Sequence, residues 1–149
     1  MLNIYVDGDA CPVKDEVFRV AERHSLKVYL VSNSWHRIGI NPFVEQVVVS
    51  QGPDVADDWI VEQIGDGDIV ITSDIPLADR CIKNAACAIA PTGKPFTPDS
   101  IGMALAVRNL MTDLRETGGV IGSNASFTKQ DRSHFLSELE TQIMAIKRQ

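Results

Sequence analysis

Five short apolar runs alternate with segments of helical spacing along this chain, and this alternation limits the possible folds more than any other feature. The apolar runs are Leu2–Val6, Lys27–Val31, Gln46–Ser50, Asp68–Thr72 and Ala86–Ala90. The helical segments are Pro12–His24, Asp54–Ile64, Pro76–Asn84, Pro98–Glu116 and Thr128–Lys147. Strands that alternate with helices build a mostly parallel sheet covered on both faces. The sequence therefore predicts an α/β fold, a three-layer α/β/α sandwich.

Several helix ends carry local signals. Gly65 follows the second helical segment, where a glycine commonly ends a helix in the left-handed conformation. Thr97 is a suitable N-cap for the fourth segment. Thr128 and Asp131 together resemble a capping box at the start of the last one. The remaining stretches are predicted loops, namely Ser32–Pro42, Thr92–Asp99 and Gly118–Ser126.

Length and charge limit the class of protein. A chain of 149 residues suits a single domain, here residues 1–149. The formal net charge is −6, which argues against a general nucleic-acid binder with a broad basic face. It does not exclude a nucleic-acid enzyme, because acids gathered in a metal site lower the net charge without describing the rest of the surface.

The three cysteines, Cys11, Cys81 and Cys87, have no C-x-x-C spacing. An odd, unclustered set is typical of reduced thiols in a cytoplasmic protein. The first residues form a strand pattern that ends in acids, so we expect no signal peptide and no membrane span.

Acidic residues fall where parallel strands end and where the next helices begin. Asp7 and Asp9 follow the first strand, and Asp74 follows the fourth. Asp54 and Asp57 begin the second helix. Ligands bind at the carboxyl ends of the strands in such sheets, and hard divalent cations prefer carboxylate oxygen. The sequence predicts a site for Mg²⁺ or Mn²⁺, with the candidate ligands Asp7, Asp9, Asp54, Asp57, Asp74 and Asp79.

Several of the acids also have an ordinary structural interpretation, whereas Asp7 and Asp9 at the end of a buried strand are harder to explain that way. Asp54 is a good N-cap, and Asp57 in the first helical turn favours the helix dipole. Asp74 could cap the helix that begins near Pro76. Asp58 and Asp79 read as solvated helix surface.

Three motifs taken in order resemble the YaiI/YqxD family of small bacterial proteins. They are Val-Asp-Gly-Asp-Ala-Cys-Pro at residues 6–12, Gly-Pro-Asp-Val-Ala-Asp at 52–57, and Ile-Thr-Ser-Asp-Ile-Pro-Leu-Ala at 71–78. Asp131–Phe135 is also similar to that family. One departure is Gly118–Ser126, which lacks the Gly-Gly-Pro expected of relatives. The resemblance implies a PIN-like nuclease fold with an acidic pocket at the strand ends.

In PIN-like nucleases such acids hold one or two divalent ions. Carried over by position, the strongest matches are Asp7, Asp54 or Asp57, and Asp74. Asp9 and Asp79 are additional candidates.

The leading hypothesis is a metal-dependent phosphodiesterase that acts on RNA or another single-stranded nucleic acid. Its catalytic residues would be Asp7, Asp54, Asp57 and Asp74. Candidate substrate contacts are Asn33, His36, Lys94 and Arg132. An incidental loop histidine and solvated surface charges are the alternative interpretations of the last three.

Two other functions fit parts of the pattern. A haloacid-dehalogenase-like phosphatase would use Asp7 as a nucleophile, with Thr72 and Lys83 in support, but leaves the acids of the second helix without a role. The domain could also bind RNA or a protein without catalysis, with its acids holding an ion structurally.

Overall fold

The structure, a computed structural model, describes residues 2–8, 11–39, 41–52, 54–103, 105–107 and 127–148. The strands are β1 (Asn3–Asp7), β2 (Lys27–Ser32), β3 (Val44–Val48), β4 (Ile69–Ile71), β5 (Cys87–Ile89) and β6 (Pro95–Phe96). The helices are α1 (Lys14–His24), α2 (Val55–Gln63), α3 (Ile75–Lys83), α4 (residues 98–103 and 105–107) and α5 (Lys129–Lys147).

The six strands form one sheet in the order β3-β2-β1-β4-β5-β6. The first five strands pair in parallel, and β6 pairs antiparallel with β5. The chain builds outward from β1 to β3 and then returns to β4 on the other side of β1. The strand order therefore reverses between β1 and β4, which is where open α/β sheets form a ligand crevice.

Alternate strand residues pack on opposite faces of the sheet. Ile4 and Val6 belong to the core that α1 and α5 cover, where Phe135 is fully buried. Tyr5 and Val70 belong to the core that α2 and α3 cover. Helices thus cover both faces, and the predicted three-layer α/β sandwich is confirmed.

Two of the predicted helix starts are confirmed by hydrogen bonds. The Asp131 amide donates to Thr128 Oγ1 and the Thr128 amide donates to Asp131 Oδ2, which completes the capping box. Thr97 Oγ1 accepts from the Ser100 amide at 3.1 Å and acts as the N-cap of α4. The end predicted for α4 and the loop Gly118–Ser126 lie outside the described residues.

Three features stand out among the differences from the prediction. Strand β3 begins two residues before Gln46, and β6 lies inside the segment predicted as a loop. Gly65 does not end α2 in the left-handed conformation, because Ile64 already leaves the helix with φ −75° and ψ 143°. The Gly65 amide instead donates to Asp68 Oδ2 at 3.0 Å, so a side chain beyond the helix stabilises this turn.

The turn between β5 and β6 packs directly on the backbone of α5. Gly93 has φ +90°, and its amide donates to the Ala90 carbonyl at 2.8 Å. A Cβ atom at this position would lie 2.5 Å from the carbonyl carbon of His134. Only a glycine lets the turn approach α5 this closely.

The cysteine side chains are free thiols shielded by the fold. Cys11 and Cys81 are buried and Cys87 is partly buried. Burial raises the pKa of Cys11 to about 11 and the pKa of Cys81 to about 12. Among the described helices, none combines the length and the apolar composition needed to cross a bilayer.

Candidate functional site

An open pocket of about 240 Å³ lies at the carboxyl edge of the sheet. It is bounded by the ends of β1, β2 and β3 and by the starts of α2 and α3, at the reversal of strand order. Its lining residues are Asp7, Asn33, Val49, Ser50, Gly52, Asp54, Ala56, Asp57 and Asp74. The structure thus brings together four of the six predicted acids.

Asp7 and Asp74 are connected through Thr72. Val6 pairs with Ile71, so the following residues, Asp7 and Thr72, lie side by side. Thr72 Oγ1 donates to Asp7 Oδ2 at 3.0 Å and accepts from the Asp74 amide at 3.0 Å. Thr72 is buried, so this hydroxyl positions the two acids relative to each other.

If the pocket binds a divalent cation, replacing Thr72 by valine should weaken that binding about 10- to 100-fold, the typical cost of losing a hydrogen bond to a metal ligand. Valine has a similar size but removes the donor to Asp7 and the acceptor for the Asp74 amide. Titration calorimetry with Mn²⁺ measures the effect, and Thr72→Ser is the control because it keeps the hydroxyl. Equal affinity in Thr72→Val and wild type would show that this hydrogen bond does not position the site.

Asp74 serves as a helix cap and also lines the pocket. Its Oδ1 accepts from the Leu77 amide at 3.0 Å, which is the capping role that the sequence allowed. This hydrogen bond fixes the Asp74 side chain at the N-terminus of α3. The structural and the functional interpretations of Asp74 are therefore compatible.

Asp54 occupies the N-cap position of α2 without acting as a side-chain cap. Its backbone is left-handed, with φ 65° and ψ 6°, and its side chain makes no capping hydrogen bond. The capping interpretation of Asp54 is therefore wrong. Left-handed residues other than glycine are strained and concentrate at functional sites.

The pKa of Asp57 is shifted by its position in the pocket. Its pKa is raised to about 6, first by burial and then by the negative charges of Asp74, Asp7 and Asp54, while Arg80 opposes the shift. The neighbouring Asp58 is exposed and pairs with Arg80 at 2.9 Å, as expected for helix surface. The carboxylates of the pocket therefore lie close enough for three of them to raise the pKa of the fourth.

Asp57→Asn should stabilise the metal-free protein at pH 7. Because the folded-state pKa of Asp57 is raised, the folded protein binds its proton more tightly than the unfolded chain between pH 3.8 and about 6. Stability from this group falls as pH rises through that window. After discounting for solvent screening, we expect a gain of about 1 kcal/mol, or about 2–4 °C in Tm.

Thermal unfolding in EDTA at pH 5 and pH 7 measures this difference, which should be larger at pH 7. The adjacent Asp58→Asn is the matched control, since an exposed ion pair contributes little. A lower Tm in Asp57→Asn than in wild type at pH 7 would contradict repulsion among these acids.

Four other residues singled out in the sequence have different outcomes: one lines the pocket, two lie outside its lining and one is not described. Asn33 lines the pocket, but Asp79 does not; it pairs with Lys83 at 2.9 Å along α3. Asp9 lies outside the described residues. Lys83, which the phosphatase hypothesis needs, sits at the end of α3, about 12 Å from its start.

Three predicted substrate contacts also lie outside the lining of the pocket. Arg132 donates to Glu16 Oε1 at 2.7 Å and stacks over Phe127, so it links α5 to α1. The His36 amide donates to the Gln46 side chain, which holds the loop after β2. Lys94 is exposed in the turn that packs on α5.

The donor set fits a hard divalent cation. Four carboxylates line the pocket, and the described lining contains no Lys, Arg or His. Within the described part of the chain, no three His, Cys, Asp or Glu side chains are drawn together tightly enough to chelate an ion on their own. Mg²⁺ typically takes only one or two carboxylates directly and keeps several waters, so a Mg²⁺ site does not require such a group.

Comparison with known proteins places the chain among uncharacterised relatives. A family model described as "Uncharacterized BCR, YaiI/YqxD family" matches residues 5–145. The chain is 60% identical over 148 residues to a "UPF0178 protein" of Rhodopseudomonas palustris (strain TIE-1), covering 99% of this chain and 94% of that protein. A "UPF0178 protein" of Parvibaculum lavamentivorans is also 60% identical over 148 residues, covering 99% and 97% of the two chains. No solved structure matches this chain.

Proposed function

We propose a function for this chain from the premise that it belongs to the YaiI/YqxD family, whose family model carries no activity in its description. The proposed function is that of a divalent-metal-dependent phosphodiesterase that cleaves RNA or another single-stranded nucleic acid. The observation that carries the proposal is the convergence of Asp7, Asp54, Asp57 and Asp74 on one open pocket.

Electrostatics support the need for a cation. Carboxylates alone would repel a phosphate backbone. The pKa of Asp57 is raised first by burial and then by the negative charges of the other three acids. When bound, Mg²⁺ or Mn²⁺ would activate water and stabilise the charge that develops on the phosphate. In the proposal, Asp7 and Asp74 hold the ion, and Asp54 and Asp57 complete the acidic wall that holds a second ion or its waters.

The fixed position of these side chains supports the same function. Thr72 joins Asp7 to Asp74 through two hydrogen bonds at 3.0 Å, and the cap at Leu77 fixes Asp74 again. Catalytic groups work best when a surrounding shell holds them in place before the substrate arrives. The strained backbone of Asp54 is consistent with a side chain placed for function and not for local stability.

The test combines binding and turnover on the wild-type protein. Calorimetry with Mn²⁺ should show binding, and a panel of labelled single-stranded RNA oligomers should be cleaved in Mn²⁺ and left intact in EDTA. Absence of Mn²⁺ binding would refute the metal-dependent function. Mn²⁺ binding with RNA retention and no cleavage would identify a non-catalytic RNA-binding domain instead.

A further inference from the structure

A large aromatic side chain stands in solvent beside the acidic pocket. Trp35 is 72% exposed, although tryptophan is highly buried on average. It follows β2 by three residues and lies two residues beyond Asn33, which lines the pocket. Two residues of chain span at most about 7 Å, so the backbone of Trp35 lies at the edge of the site.

The loop that carries Trp35 is held on both sides of that residue. Ser32 Oγ donates to the Ser34 carbonyl at 2.6 Å. Gln46 Nε2 donates to the His36 carbonyl at 2.6 Å, and Gln46 Oε1 accepts from the His36 amide at 2.9 Å. The exposure of Trp35 is therefore a property of a fixed loop.

An exposed cation follows two residues after Trp35 in the same loop. Trp35 and Arg37 are exposed, whereas His36 and Ile38 are partly buried, and Ile38 packs against the core that α1 and α5 cover. The loop therefore offers solvent an aromatic plane and a guanidinium next to a pocket that is lined by carboxylates.

We propose that Trp35 and Arg37 form a base-stacking subsite that takes one unpaired nucleobase and its phosphate beside the acidic pocket. The subsite rests on the proposed function, since it would bind a single-stranded nucleic acid next to that pocket. Tryptophan binds single strands by stacking on a base, and arginine pairs with phosphate. Bases in a duplex are already stacked on both sides, so the subsite selects single strands.

The two tryptophans allow a direct test. In Trp59→Phe, Trp35 is the single tryptophan, because the chain has two. With Asp7→Asn added to prevent cleavage, we expect its fluorescence to be quenched by a ten-nucleotide uridine RNA in Mn²⁺, but not by an RNA duplex or an abasic oligomer of equal length. Gel analysis should confirm that the oligomer is intact during the titration.

Affinity measurements complete the test. Trp35→Ala should bind the uridine RNA about 5- to 150-fold more weakly, while Trp35→Phe keeps most of the affinity. Met144→Ala, which truncates an exposed apolar side chain on α5, should have no effect. Circular dichroism should show that all variants are folded.

The outcomes separate this inference from the proposed function. Cleavage by wild type with unchanged affinity in Trp35→Ala would overturn the subsite and leave the phosphodiesterase intact. Quenching without any cleavage would support the subsite and refute catalysis. Loss of self-association in Trp35→Ala, with RNA binding unchanged, would show a protein contact and would also overturn the subsite.

Discussion

Asp7→Asn should reduce metal-dependent cleavage of single-stranded RNA at least about 100-fold while the protein stays folded. Loss of a hydrogen-bond partner of a metal ligand typically lowers metal affinity or activity about 10- to 100-fold, and loss of the residue proposed to hold the ion should lower activity at least as much. Asparagine has the shape of aspartate, and its amide oxygen can still accept from Thr72 Oγ1. The variant therefore removes the charge at the site and leaves the hydrogen bond that positions it.

Initial rates in Mn²⁺ and calorimetric Mn²⁺ affinity measure the effect of Asp7→Asn. Asp66→Asn is the matched control, because it removes the same charge from an exposed turn outside the pocket lining. Equal loss in both variants would show that only net charge matters. Unchanged rates in Asp7→Asn would exclude the acidic pocket as the catalytic centre.

Gly93→Ala should destabilise the fold by about 3 kcal/mol and lower Tm by about 10 °C. The new methyl group would lie 2.5 Å from the His134 carbonyl carbon and 2.7 Å from the Phe135 nitrogen. Both contacts are with backbone, so the turn and α5 have to separate. Phe135 is fully buried, and any shift of α5 there disturbs the core on that face.

Two other glycines separate the contributions to this effect in thermal and urea unfolding. Gly39 has φ +68° with nothing within 4 Å of the added carbon, so Gly39→Ala tests the backbone conformation alone. Gly102 lies in α4 and is also unobstructed, so Gly102→Ala should be neutral or stabilising. A Gly93→Ala variant no less stable than Gly39→Ala would contradict the close approach to α5.

The elements that sequence patterns predicted well are those with strong local signals. The buried strand at Ile69–Ile71 lies inside an unbroken apolar run, and Thr128 with Asp131 forms the capping box expected from their spacing. The two-residue strand Pro95–Phe96 has no such signal, because it exists only through pairing with β5. The prediction that Gly65 ends α2 in the left-handed conformation was wrong because the chain already leaves the helix at Ile64.

The site was predictable to the extent that it depends on strand ends. Asp7 and Asp74 could be predicted to lie close together because both follow strands, and neighbouring parallel strands end at one edge of a sheet. The hydrogen-bonding role of Thr72 depends on the register that pairs Val6 with Ile71, which no local pattern encodes. The ion pair of Arg132 with Glu16 likewise depends on how α5 packs against α1.

The left-handed backbone at Asp54 leads to an expectation about which residues related proteins have at this position. Glycine or asparagine would adopt the same conformation with less strain, by about 1 kcal/mol for glycine, but without a carboxylate. A descendant that no longer uses the pocket is free to drift to either residue and gains stability by doing so. If the carboxylate of residue 54 is needed for function, this position should therefore stay acidic in relatives that use the pocket and become glycine or asparagine in relatives that do not.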